Sequence, residues 1–216
     1  MKFDTNKWEI YTWKNWMMLH WIVNPGMAIN ELFFGQRIPK LSLEDKESNK
    51  ARFERSYIPC PHCEMIHDSR TWTTLNGTAY RNWFGLYCPN CGEIIPCLRN
   101  IFSAVIIALL FPLTYFFKDQ LKKRWLKKQA NRFSTIDLNS IPNPYDGKGW
   151  LLIGLGWGLF MFVLMTFLFP LMKSEIIELR DVITALPIWT IAGVLFGYTM
   201  KRMMGTEKPD LQNLKT

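Results

Sequence analysis

Cys60-Pro-His-Cys63 and Cys88-Pro-Asn-Cys91-Gly92 form two C-x2-C pairs with 24 residues between them. Each pair can present two thiolates from one tight turn, and two such turns complete a tetrahedral shell around one metal ion. Disulfide bonding is the competing use of these cysteines. The paired spacing fits four ligands better, and five cysteines in 216 residues are too few, and odd in number, for a disulfide-built secreted module. Four thiolates leave no coordination position for water. Cys60, Cys63, Cys88 and Cys91 are therefore expected to hold a structural metal rather than a catalytic one. Gly92 follows the second pair, where an open backbone favours hydrogen bonds to sulfur, and Glu64 takes the same place after the first. His62 and His67 are superfluous to a filled shell and are expected at the surface. Cys97 is expected to be a buried spectator thiol.

The residues between the pairs read as a folded module. Residues 71–75 and 78–87 are β-rich and flank Asn76-Gly77, a strong hairpin signal, while Phe53 and Tyr57 lead into the first pair as a further strand. Two cysteine turns joined by a β-hairpin resemble a zinc ribbon, over residues 52–97. The run Ile58-Pro-Cys-Pro-His-Cys63, a later Trp and Tyr87-Cys-Pro-Asn-Cys-Gly92 is also similar to the ribbon within lambda-type phage terminase large subunits. The chain has no G-x-x-x-x-G-K-[ST] phosphate loop, so the ATPase and packaging functions of that family are not carried over. The Cys-Pro-x-Cys-Gly turn further resembles rubredoxin, in which four thiolates hold one iron. Ligand identity alone does not choose the ion. Zn2+ is the expected occupant, as the commoner one, and iron is the alternative.

Downstream of the cysteines the chain turns apolar. Residues 151–172 contain no charge over 22 positions, 182–200 none over 19, and 100–117 none over 18. At 1.5 Å per residue, about 20 residues cross a hydrocarbon core of about 30 Å. Each run carries a proline (Pro112, Pro170, Pro187), which lipid-embedded helices tolerate where neighbours take up the freed carbonyls. Trp150 and Trp189 suit a membrane–water boundary. Gly154 and Gly158 are four apart, as are Gly193 and Gly197, and small residues at that spacing let helix backbones approach closely. Only residues 173–181 join the second and third runs. They predict an antiparallel transmembrane hairpin over 150–201, packed through its glycine faces.

Charge sets the expected topology. Residues 118–149 hold eight Lys/Arg and three Asp, with six of the eight between Lys118 and Lys128, whereas 173–181 holds only Lys173 and Arg180. The positive-inside rule then places 118–149 and the tail, which begins Lys201-Arg202, in the cytoplasm of a plasma or inner membrane, and 173–181 outside. The run at 100–117 brings a conflict. If it crosses, the thiolates face away from the cytoplasm, although a reducing compartment suits them better. If it enters and returns near Pro112, the site stays inside. Length and lack of charge favour the crossing. The basic stretch 118–128 is expected to continue this helix, with its cations near anionic lipid headgroups.

The amino-terminal region carries Trp8, Trp13, Trp16 and Trp21 in an apolar segment too polar to cross lipid, and an interfacial helix is expected. Asn24-Pro25 predicts the cap and first turn of another helix and Gly35 its left-handed end. Lys40–Arg52 reads as a charged loop. The expected organisation is 1–50 interfacial helices and loop, 51–97 ribbon, 98–133 first membrane helix with its basic extension, 134–149 a turn-rich linker, 150–201 the hairpin and 202–216 a polar tail. This is a mixed architecture: a small β-rich, four-cysteine zinc ribbon followed by an α-helical membrane domain of three spans. Start residues 1–7 are polar with no apolar signal core behind them, so insertion is expected through the internal spans. An aromatic content of 15% excludes a disordered chain. No nucleophile–base order, paired acid cluster or H-E-x-x-H helix appears, and the runs contain no Asp, Glu, Lys, Arg or His, which argues against an enzyme or an ion carrier. Residues 51–97 balance four Arg against four Asp/Glu, so nucleic acid is not the expected partner despite a chain net charge of +8. Membrane lipids and other membrane subunits, or further copies of the chain, are. The expectation is a non-enzymatic accessory, assembly or docking subunit of a membrane complex. An iron electron-transfer protein is the alternative, and a membrane-tethered nucleic-acid-binding ribbon the next.

Overall fold

The computed structural model describes residues 1–138 and 141–205, with backbone only at 113–114. The expected polar tail from residue 206 onward, and residues 139–140 of the expected linker, lie outside the described residues. The chain forms two compact units, one of Met1–Asn49 with Glu54–Ile141 and one of Lys50–Phe53 with Pro142–Thr216.

The first unit is built on an antiparallel meander of β1 (Trp8–Tyr11), β2 (Ser42–Asp45), β3 (Ser56–Pro59) and β4 (Ile66–Asp68), in that spatial order. The start of the expected interfacial helix is thus a strand. Trp8 pairs with Asp45 in the β1–β2 register and packs edge-on against Tyr57 at 5.3 Å. Only α1 (Trp16–Val23) remains of that helix. The expected charged loop at 40–52 contains β2 itself. Leu43 is fully buried and Glu44 is ion-paired with Arg55 at 2.7 Å. Glu and Asp have poor strand propensity, and the pairing partners on both sides override it.

The next helix follows its local signals. Asn24 accepts from the Gly26 N–H at 2.8 Å, Pro25 opens α2 (Pro25–Ile29), a wider π-helical turn continues over Asn30–Phe34, and Gly35 ends it at φ 65°. Two further short strands, β5 (Leu86–Tyr87) and β6 (Ile94–Ile95), form a separate hairpin. The expected hairpin around Asn76-Gly77 does not form. The Asn76 side chain instead donates to Arg70 O at 2.9 Å and accepts from Thr73 Oγ1 at 3.0 Å and from Thr78 Oγ1. Local side-chain bonds of this kind satisfy the backbone without a ladder.

α3 (Ile101–Phe133) begins at Asn100, whose side chain accepts from the Phe102 and Ser103 N–H groups. Its straight passage through 100–117 is not observed. Arms Ile101–Pro112 and Tyr115–Phe133 meet at 116°. Pro112 removes one backbone donor and its ring crowds the carbonyl four residues back, which is where a helix breaks.

The second unit contains α4 (Gly149–Val163), a π-helical turn at Leu164–Leu168, α5 (Phe169–Met172) and α6 (Leu179–Met204). Gly149–Met172 and Leu179–Met204 are long and apolar enough to cross a membrane. The widened turn sits where Pro170 cannot donate to Thr166 O. The two helices meet through the paired glycines. A methyl on Gly193 would lie 2.6 Å from Gly154 O and 3.1 Å from Gly158 Cα, and one on Gly197 would lie 3.0 Å from Gly154 Cα. Trp157 stacks on Phe196 at 4.6 Å beside this seam. Trp189 is not at a helix end. It lies well inside α6 and meets Trp157 at 6.2 Å. Gly193→Val is expected to lower the thermal midpoint of the detergent-solubilised chain by several degrees, corresponding to about 1–3 kcal/mol of overpacking. Gly156→Ala, whose methyl would meet nothing within 4 Å, should leave the midpoint unchanged. Equal melting of the two variants, followed by far-UV circular dichroism, would refute the glycine seam.

Candidate metal centre

The two cysteine pairs occupy the tips of two hairpins. β3 and β4 pair Pro59 with Ile66 and carry Cys60–Cys63 between them; β5 and β6 pair Tyr87 with Ile94 and carry Cys88–Cys91. The turns repeat one another bond for bond. Cys60 N donates to Met65 O and Glu64 N to Cys60 O, at 2.9 and 3.0 Å; Cys88 N donates to Glu93 O and Gly92 N to Cys88 O, both at 2.9 Å. Glu64 and Gly92 fill the same left-handed position, at φ 60° and 77°.

All four sulfurs lie within 4.8 Å of one another. Cys60 Sγ is 3.8 Å from Cys91 Sγ, and Cys63 Sγ is 3.7 Å from Cys88 Sγ. A metal–sulfur bond of about 2.3 Å in a tetrahedron requires an edge of about 3.8 Å, so the donor set fits one four-coordinate ion. The same geometry suits zinc and a single iron alike. Cys60 and Cys88 are fully buried, Cys63 is half-buried and Cys91 is exposed. Burial pushes the Cys60 and Cys88 thiols up, opposed by the backbone N–H groups of residues 62–63 and 90–91 respectively. The Asn90 side chain, then the Met65 backbone, pull Cys63 down to about 6. A cation supplies what the two buried sulfurs lack, because it favours the thiolate outright.

His67 is not a surface residue. It sits on β4 with Nε2 3.1 Å from Cys88 Sγ and its ring edge-on to Trp72 at 5.8 Å, and burial lowers its pKa. It stands outside the four sulfurs and orients one of them. His62 is exposed and reaches Ile94 O at 3.3 Å. Cys97 lies apart from the cluster, with its Sγ donating to Ile95 O at 3.5 Å and its thiol pushed up to about 12 by burial.

The core beneath the metal site includes residues from far along the chain. Ile58, Trp72, Leu86, Tyr87 and Ile95 pack with Cys60 and Cys88 and with Trp125 and Phe133 of α3. Phe133 meets Tyr87 at 5.4 Å and Trp72 at 6.4 Å, and Phe84 meets Trp125 at 5.5 Å. Polar bonds fix the same helix. Trp125 Nε1 donates to Arg81 O at 2.7 Å, and Arg132 donates to Gly77 O at 2.9 Å and to Tyr80 O.

A second clamp escaped the reading of the sequence. Glu31 is fully buried, paired with Arg37, and accepts from the Asn100 N–H at 2.8 Å. Asn100 Nδ2 donates to Trp21 O and Asn24 O, both at 2.7 Å. Arg37 also donates to Asn82 O at 3.3 Å and to Trp83 O. An Asn directly ahead of an apolar run is the N-cap signal that could have found Asn100. Nothing local pointed to its pairing with Glu31.

Cys88→Ser is expected to abolish bound metal in the purified chain and to unfold both hairpins, since metal binding supplies folding energy. Full metal occupancy by elemental analysis in that variant would refute the assignment. Glu64→Gly should stabilise the metal-loaded chain by about 1 kcal/mol, because a non-glycine residue strains a left-handed position. A lower unfolding midpoint in that variant would contradict this.

A family described as a domain of unknown function (DUF8250) matches residues 11–107, a little under half of the chain. That stretch runs from the end of β1 through both cysteine turns to the first arm of α3, so the metal cluster and the Glu31–Asn100 clamp fall within one similar sequence unit. No curated protein and no solved structure matches the chain.

Proposed function

We propose that the chain is a non-enzymatic membrane subunit whose zinc-stabilised module docks or assembles partner proteins. One observation carries this reading. A saturated four-thiolate cluster that fits a structural ion belongs to a chain with two helices able to cross a membrane. A closed shell offers a substrate no coordination site. The helices contain no Asp, Glu, Lys, Arg or His between Leu151 and Met172, or between Val182 and Met200, which leaves no charged ion path in them. Zinc is the favoured ion.

Part of the apolar and small-residue surface is used within the chain itself. The paired glycines are consumed within the hairpin of their own chain. Trp72 is buried and Phe84 packs on Trp125, while Trp83, which donates to Leu32 O at 3.2 Å, stays exposed. Leu152, Leu159 and Phe160 remain exposed on α4.

Electron transfer by a bound iron is the second reading, favoured by the exposure of Cys91, which brings one edge of the cluster to the surface. Purification in mild detergent separates the two. The docking reading expects a colourless, zinc-containing chain that migrates as a complex or oligomer. A monomer under all gentle conditions, coloured and carrying iron, would replace it with the electron-transfer reading.

A further inference from the structure

We infer that residues 101–117 enter one leaflet of the bilayer and return, so that the metal module and the basic stretch 118–128 share one membrane face. This rests on the membrane reading of the chain and adds the placement of the metal centre.

Both ends of α3 are tied to the same compact unit. Its start is held by Asn100 against α1 and α2, and its end by Trp125, Arg132 and Phe133 against the loop at 77–82 and the hairpin core. A straight helix of 33 residues would separate those ends by about 50 Å. The 116° bend brings them back. The first arm, Ile101–Pro112, is about 18 Å long, short of the roughly 30 Å a crossing needs and close to the depth of one leaflet. Phe133 then lies on the side of the membrane from which Ile101 departed.

Lipid is the occupant that suits this arm. Ile106, Leu109, Leu110 and Phe111, then Tyr115 and Phe116, are all exposed, with Leu109 at 75% and Phe116 at 79%. These positions point to all sides of the arm near its tip. A docking stripe for one protein partner would occupy a single face, whereas a helix apolar all round belongs in a surrounding apolar phase. Headgroup-level residues sit where the arms leave that phase. Lys118, Lys122 and Lys123 are exposed immediately after Phe117, and α1, packed at the base of the first arm, exposes Trp16 and Met17. With the basic stretch on the cytoplasmic face by the positive-inside rule, the thiolates lie there too, in the reducing compartment that suits them.

The test uses the unmodified chain in sealed membrane vesicles of both orientations, a membrane-impermeant amine reagent and peptide mass spectrometry. Lys40, before the bend, and Lys127, after it, should react from the same face and lose labelling together from the other. Reaction of Lys40 and Lys127 from opposite faces would overturn the inference. Lys173 reports separately on the crossing hairpin. Its reaction from the same face as Lys127 would sink that reading while leaving the Lys40–Lys127 comparison to decide this one. A second measurement distinguishes lipid from a protein cover. Leu109→Cys in a Cys97→Ser background, spin-labelled with the metal bound, is reconstituted alone into mixed phosphatidylcholine and phosphatidylglycerol vesicles. The label should be accessible to oxygen and shielded from an aqueous nickel chelate. Accessibility to the nickel chelate would overturn the lipid assignment.

Discussion

Four sulfurs held at the edge length of a tetrahedron are the constraint on which the first unit depends. Neither hairpin is large. β5 and β6 have two residues each, too few for independent stability, and β4 adds only three at the edge of the four-stranded sheet. What fixes the hairpins is that Cys60 and Cys91, and Cys63 and Cys88, must meet across them. Once they do, Ile58, Leu86 and Ile95 share one small core, and Tyr87 presents a face that Phe133 covers. A metal ion held there would do for this module what a larger apolar core does elsewhere.

The parts legible in the sequence were those specified within a few residues. The C-x2-C turns, the Asn24-Pro25 helix start, the Gly35 helix end and the glycine spacings each carry their geometry in local chemistry, and each appears in the structure. The contacts that could not be read lie far apart in the chain. β2 is a strand because β1 and β3 flank it, against the propensity of its own Glu44 and Asp45. His67 meets Cys88 across 21 residues, and Glu31 meets Asn100 across 69. Asn76-Gly77 misled because Asn serves equally well in a hairpin turn and in a side-chain-capped loop, and only Arg70 O, Thr73 and Thr78 around it decide which.

The apolar run at 100–117 shows where composition alone stops. Hydropathy and length measure whether a segment prefers lipid, not whether it passes through. Direction is set by what the ends are tied to. Asn100 is buried with hydrogen bonds to Trp21, Asn24, Glu31 and its own first turn, and Trp125 and Arg132 are bonded to the loop that precedes the second cysteine pair. Those ties are polar and specific, whereas the apolar arm between them is indifferent to its orientation in lipid. The polar ends therefore impose the bend, and Pro112 marks the place where a bend costs least.

Metal and helix are consequently parts of one equilibrium. Cys60 and Cys88 belong to the same apolar cluster as Trp125 and Phe133, so an ion that binds only the folded hairpins also favours the docked position of the second arm. The reverse holds by the same linkage: any surface that holds the second arm in place strengthens the metal site. Lipid contact along 101–117 and cation contact along 118–128, as inferred above, would act on that arm directly. On the placement proposed above, the integrity of a metal-loaded module would be coupled to its seating at a membrane. Such a coupling would be a by-product of using one helix both to cover a small core and to reach the bilayer.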